Sequence, residues 1–142
     1  MNIYFDMDGT IADLYGVENW LDDLNNKRER PYKEAAPIWE GLDDLLHTVR
    51  AAGHKIGIVS WTARNSTKEY DKKVREAKKT WLKENFTADF SEIHIVKHGT
   101  PKSYVVKDKN GILFDDEEKN RKQWKGQSYK PEQIFEVLRG LT

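Results

Sequence analysis

The chain contains no cysteine, so disulfide frameworks and thiolate zinc sites are excluded. It has no net charge, with 24 basic and 24 acidic residues, and hence no general attraction for nucleic acid or acidic membranes; only a local basic groove would supply one. Its longest apolar runs fall far below the length that spans a bilayer. The opening Met1-Asn2-Ile3 leads straight into a strand rather than a signal peptide. There is no internal repeat, no low-complexity tract and no linker long enough to separate domains. The expectation is a cytoplasmic globular protein, one domain over residues 1–142, long enough for a proper core.

What is present is a pair of acids at the end of an apolar strand, Asn2-Ile3-Tyr4-Phe5-Asp6-Met7-Asp8-Gly9-Thr10. Alternate residues of a strand point the same way, so Asp6 and Asp8 share one side of its end. Gly9 lets the backbone turn there without a Cβ penalty. Two carboxylates held close repel unless a proton or a cation lies between them, and an all-oxygen site suits a hard cation such as Mg²⁺. The competing reading is a strand running into an Asp-Gly turn. A second acid pair, Asp115-Asp116, ends the apolar run from Gly111; its competing reading is a turn that caps the next helix.

Between the two pairs the periodicity alternates. Leu14, Val17, Leu21 and Leu24 recur at helical spacing, a charged loop follows over 25–31, and Pro37 starts a helix with the stripe Ile38, Leu42, Leu45, Leu46 and Val49 ending at Gly53. Lys55–Ser60 reads as a buried strand. A long helix follows, capped by Asn65 or Ser66, with the stripe Tyr70, Val74, Ala77 and Trp81. Lys72, Lys73, Lys78, Lys79 and Lys83 fall off that stripe and read as a solvated face. Ile93–Val96 is a third strand, Gly99-Thr100-Pro101 a turn, Lys102 the start of a short helical stretch, and 111–116 the fourth strand. A helix over 117–124, a short strand at 127–129 and a helix from Pro131 complete the chain. Strands alternating with helices predict an α/β fold, a mainly parallel sheet of five strands with helices on both faces. Ligands in such sheets bind beyond the carboxyl ends of the strands, where both acid pairs lie.

Asp6-Met7-Asp8-Gly9-Thr10-Ile11-Ala12-Asp13 resembles the first motif of the haloacid dehalogenase superfamily, most of whose members transfer phosphoryl groups. The resemblance extends through Ser60 at the second motif, Lys102 at the third and Asp115-Asp116 at the fourth, in order, and so covers nearly the whole chain. It implies a Rossmann-like three-layer sandwich in which the first and fourth strands are central neighbours. It also implies that Asp6 is the nucleophile, Asp8 the general acid/base and Mg²⁺ the cofactor. Asp6, the Asp8 carbonyl and Asp116 would bind the metal, with Asp115 acting through water or as an orienting group. Ser60, with the free amides of Trp61 and Thr62, would bind phosphate, and Lys102 would neutralise charge on phosphate and nucleophile. Lys97, Lys107 and Lys109 rival Lys102 for that position.

The superfamily usually selects substrates with cap insertions. Here residues 14–37 allow only a mini-cap, implying an open site suited to a large substrate, or to a small one read with a partner's help. Asn120 and Trp124, with the acid pairs, look similar to the 5'(3')-deoxyribonucleotidase branch, whose cap is larger. The expected partner is a small phosphorylated substrate, a nucleotide foremost. The alternatives are nucleic-acid ends or another macromolecule, which the neutral charge disfavours, and a non-catalytic phosphate-binding or receiver-like protein. Trp61 is placed to stack on a base or to pack in the core. Trp20, Arg28, Arg30 and Tyr32 belong to the mini-cap, and Arg64 is within reach of a second anionic group or solvent. His94 and His98 have a spacing that suits a metal but lack further ligands.

Overall fold

The opening apolar run becomes β1 (Asn2–Phe5). Its Ile3, Tyr4 and Phe5 are each 1% exposed or less, which requires strands on both edges and cover on both faces. A computed structural model of residues 1–142 provides these. After β1 come β2 (Ala12–Asp13), α1 (Trp20–Asn25), α2 (Arg30–Glu34), β3 (Ala36–Pro37) and α3 (Leu42–Ala51). The second part holds β4 (Lys55–Trp61), α4 (Lys68–Asn85), β5 (Glu92–Val96), β6 (Ile112–Phe114), α5 (Glu118–Gln123), β7 (Ser128–Tyr129) and α6 (Ile134–Gly140). Five strands form one sheet in the order β5-β4-β1-β6-β7, with every neighbouring pair parallel. The protein is therefore α/β, a Rossmann-like three-layer sandwich whose sheet is wholly parallel. No helix is long and apolar enough to cross a membrane.

Alternation along the strands divides the core. Ile3, Phe5, Ile56, Ile58 and Phe114 pack with Leu46 and Val49 of α3 and Ile134 and Leu138 of α6. Tyr4, Val59 and Leu113 meet Val106 and Trp124 on the other face. Each fully buried aliphatic or aromatic side chain contributes about 1.5–3 kcal/mol of transfer free energy. The register then places the chemistry. Phe5 lies opposite both Ile58 and Phe114, so the chain leaves β1 and β6 at one level while β4 runs on to Trp61. Asp6 N–H donates to the Phe114 carbonyl at 2.9 Å, which sets the two acid pairs side by side.

Local structure departs from the periodicity in four places. Leu14–Leu24 is not one helix: Leu14–Gly16 is a 3-10 turn whose Gly16 N–H is accepted by the Asp13 side chain, and α1 starts only after Asn19 at φ +62°. The charged loop is shorter than expected, because Pro31 sits in the first turn of α2. Pro37 opens no helix; it pairs in an antiparallel ribbon with Ala12, and α3 begins after Gly41, at φ +80°. Thr67, not Asn65 or Ser66, caps α4 by accepting the Tyr70 N–H, while Asn65 turns the chain at φ +53°.

The ribbon of β2 and β3 closes the base of an excursion over residues 14–35, which is held against α4. Tyr70 Oη donates to the Arg28 carbonyl, Lys27 Nζ to the Asn65 carbonyl and Trp81 Nε1 to the Ala35 carbonyl, each at 2.7 Å. The excursion thus covers one side of the strand ends as a fixed wall.

Candidate active site

Three carboxylates converge where β1 and β6 end. Oxygen atoms of Asp6, Asp115 and Asp116 lie within 4.8 Å of one another. Lys102, in the short 3-10 turn before β6, is buried and donates to Asp6 Oδ1 at 2.9 Å and Asp115 Oδ2 at 2.6 Å. Thr10, wholly buried, donates to Asp6 Oδ2 at 3.1 Å and accepts the Asp116 N–H at 3.2 Å. Gly9 carries φ +78°, and a Cβ there would collide with the Asp116 carboxylate, so the turn needs glycine for conformation and for space.

The two late acids differ in environment. Asp115 is fully buried and its oxygens accept from Lys102 Nζ, Asn120 Nδ2 and the Glu117 N–H. Asp116 is partly exposed, and its carboxyl group faces Asp6. Burial raises the Asp116 carboxyl to about 8, reinforced by the Asp6 charge. Burial and Asp6 raise Asp115 to about 6 against the pull of Lys102. For Asp6, burial opposes ionisation, but the Lys102 ammonium prevails and holds the carboxyl below the ordinary range.

A second group lies across the mouth of β1 from the first. Asp8 Oδ2 accepts from Lys78 Nζ at 2.8 Å, and the same ammonium donates to Ser60 Oγ at 2.9 Å and the Trp61 carbonyl at 2.7 Å. Lys78 is 1% exposed and lies 5.1 Å from the centre of the Tyr32 ring. The Asp8 carboxyl is raised by burial, with Lys78 opposing. Thr62, which follows β4, is buried with its hydroxyl unpartnered. Both groups open into one cavity of about 300 Å³, lined by Asp6, Asp8, Ser60, Thr62, Lys102 and Asp116.

No family model matches this chain, and no curated protein matches it. The geometry alone therefore sorts the candidates. Asp6, Asp8, Ser60, Trp61, Thr62, Lys102 and Asp116 line the cavity, and Asp115 stands behind it. Lys97 and Lys107 are exposed, and Lys109 binds the Ser103 carbonyl. The Thr62 amide is not free, since it donates to the Val96 carbonyl at 2.7 Å; only its hydroxyl is available. Trp61 packs: its Nε1 donates to the Thr100 carbonyl and its ring lies 4.7 Å from His98 and 5.3 Å from Lys102 Nζ. Arg28 and Arg30 turn to the buried Asp23. His94 binds Glu92 at 2.9 Å, while His98 lines the cavity, so the two do not form one metal site.

The residue missed by sequence reasoning is Lys78. It follows Ala77 of the buried stripe directly, and its length lets the ammonium reach over the strand end while the stem packs on the same face. A lysine adjoining an apolar helix stripe beneath an acid pair is the signal that was available. Thr10 and Tyr32 also gain a place: the first links Asp6 to Asp116, and the second lies under Lys78.

Proposed function

We propose that the protein is a Mg²⁺-dependent phosphomonoester hydrolase of the haloacid dehalogenase type, acting through an aspartyl-phosphate on Asp6. The observation that carries this reading is the gathering of Asp6, Asp115 and Asp116 around one point, with Lys102 on Asp6 and the cavity in front. The donor set suits a hard divalent cation: three carboxylates, once ionised, against one ammonium would leave two negative charges for the ion to offset. Asp6, Asp116 and the Asp8 carbonyl would hold the ion, with Asp115 orienting Lys102. When bound, Mg²⁺ supplies charge neutralisation at the phosphoryl oxygens.

The protein's own groups divide the remaining work. The ionised Asp6 carboxylate attacks phosphorus as the ester P–O bond breaks, and Asp8 gives its proton to the leaving oxygen. Water then attacks the same phosphorus, Asp8 takes a proton from it, and Asp6 is freed as inorganic phosphate departs. Lys102 offsets charge on Asp6 and the phosphoryl group. Ser60 Oγ and the orphaned Thr62 hydroxyl are the donors available to phosphate oxygens.

The cavity wall supports a nucleotide. Trp20, Leu21 and Leu24 of the excursion form an apolar side, while Asn25, Arg64 and Asn65 supply polar groups, the combination that suits a nucleoside leaving group. The reading is tested by a screen of phosphomonoesters that includes free nucleotides and oligonucleotides with 5' or 3' phosphates. Asp6→Asn is expected to lower turnover by about 10⁴-fold or more, the scale of removing a covalent nucleophile, with the fold retained. Undiminished turnover in that variant would rule the mechanism out.

A further inference from the structure

Lys78 and Lys102 both lie buried among the site's acids, and their hydrogen bonds assign them different tasks. An ammonium has three N–H donors. Lys102 makes two hydrogen bonds, to Asp6 Oδ1 and Asp115 Oδ2, and keeps a donor for substrate. Lys78 makes three, to Asp8 Oδ2, Ser60 Oγ and the Trp61 carbonyl, at 2.8, 2.9 and 2.7 Å. It has no donor left for a phosphate.

The acceptors are altered in turn. Ser60 is 1% exposed and its Oγ accepts a hydrogen bond from Lys78, so its own O–H must point away from the ammonium, toward the cavity it lines. The lysine thereby makes a two-way hydroxyl a donor. Of the Asp8 oxygens, Oδ2 is tied to Lys78 and only Oδ1 is left to meet a substrate. The side chain is also anchored to the Trp61 carbonyl at the end of β4, so the bonds join the loop after β1 to the next strand. Burial of the whole side chain, at 1% exposure, with its ammonium over the Tyr32 ring, removes the freedom by which a surface lysine would turn away.

We propose that Lys78 is a positioning residue: by saturating its donors on Asp8, Ser60 and the Trp61 carbonyl, it directs the Ser60 proton at the phosphate and makes Asp8 Oδ1 the oxygen that hands a proton to the leaving group. This rests on the phosphatase reading above. It assigns to one side chain of α4 both the orientation of a phosphate donor and the choice of acidic oxygen.

Lys78→Met keeps the stem and removes the donors, and two substrates separate positioning from folding. Ethyl phosphate needs a proton at its leaving oxygen; p-nitrophenyl phosphate departs without one. The variant is expected to lose about a hundredfold in kcat on ethyl phosphate and about tenfold or less on p-nitrophenyl phosphate, within the range of general acid catalysis. Equal losses on both overturn the role of Lys78 while leaving the phosphatase reading intact. A wild type inactive on both, and on the wider screen, overturns the phosphatase reading and this role with it. A measurement on the unmutated fold covers the case in which Lys78→Met does not fold. With ¹⁵N-lysine, two slowly exchanging ammonium signals are expected, one of which shifts in Ser60→Ala. A single slow signal indifferent to that substitution overturns the proposal.

Discussion

The two halves of the site differ in charge balance. On the β6 side, Asp6, Asp115 and Asp116 share the single ammonium of Lys102, so full ionisation would leave two negative charges. On the β4 side, the Lys78 ammonium balances Asp8 whenever that carboxyl is ionised, and Ser60 and Thr62 contribute neutral hydroxyls. The first half therefore calls for a proton or a cation, since like carboxylates in a buried place raise one another's pKa until one intervenes. The second half is a settled array of donors. On the proposed phosphatase reading, the difference is a division of labour in which the acidic side would hold the metal and nucleophile while the β4 side would orient phosphate and proton.

That contrast breaks most directly at Asp116. Asp116→Asn removes a carboxylate from the unbalanced half alone, and Asn leaves the Thr10 contact to the backbone N–H in place. Loss of a direct metal ligand is expected to lower kcat/KM by about a hundredfold or more at limiting Mg²⁺, with partial recovery as Mg²⁺ is raised, since ligand loss weakens binding by mass action. Kinetics across a Mg²⁺ titration check this. A variant whose Mg²⁺ requirement equals that of the wild type would show the two halves to be alike.

How far the sequence revealed this arrangement depends on the range of the signal. Asp6, Asp8, Asp115 and Asp116 end apolar strands, so alternation and a following turn expose them to a reading of a few residues. Parallel pairing of β1 with β6 then brings together groups over a hundred positions apart, and only the resemblance carried that. Lys78 was not legible, because helical periodicity assigns a residue to a face and says little about where a long, flexible stem ends. Pro37 misled for a related reason: a proline is equally at home in the first turn of a helix and on an edge ribbon lacking one donor. The Thr62 amide was lost to a strand bond with Val96 that depends on the exact end of β5.

The β4 half is sharpened by a smaller change. The Thr62 hydroxyl is buried without a partner, an arrangement that costs free energy unless a ligand completes it. Thr62→Val keeps the shape and removes the hydroxyl. It is expected to stabilise the free protein slightly, or leave it unchanged, while weakening inorganic phosphate binding by about tenfold, the worth of one hydrogen bond to a charged acceptor. Calorimetric titration with phosphate and a thermal melt are the paired measurements. A drop in stability without loss of phosphate affinity would assign the hydroxyl to the fold instead.

The smallest effect lies in the pH dependence of metal stabilisation. The Asp116 carboxyl stands at about 8 in the folded chain against an ordinary 3.8, and Asp115 at about 6. Through pH 4 to 8 the folded state therefore binds more protons at these groups than the unfolded chain does, so their contribution to stability falls as pH rises. Asp6, held below its ordinary range, acts oppositely and only at acid pH. Between pH 6 and 8 Asp116 changes most, while Asp115 loses the remainder of its proton just above pH 6. Below its folded value a cation must displace the Asp116 proton before binding, and apparent affinity drops by about tenfold per pH unit. Added Mg²⁺ is thus expected to raise Tm by a few degrees at pH 8, about the shift of 1–2 kcal/mol in a chain of this size, and by less at pH 6. The difference should shrink in Asp116→Asn, which has no such proton to release at position 116. Equal shifts at both pH values in the wild type would mean that the cation rests on groups already ionised, and that the charge deficit of the β6 half is not what draws it in.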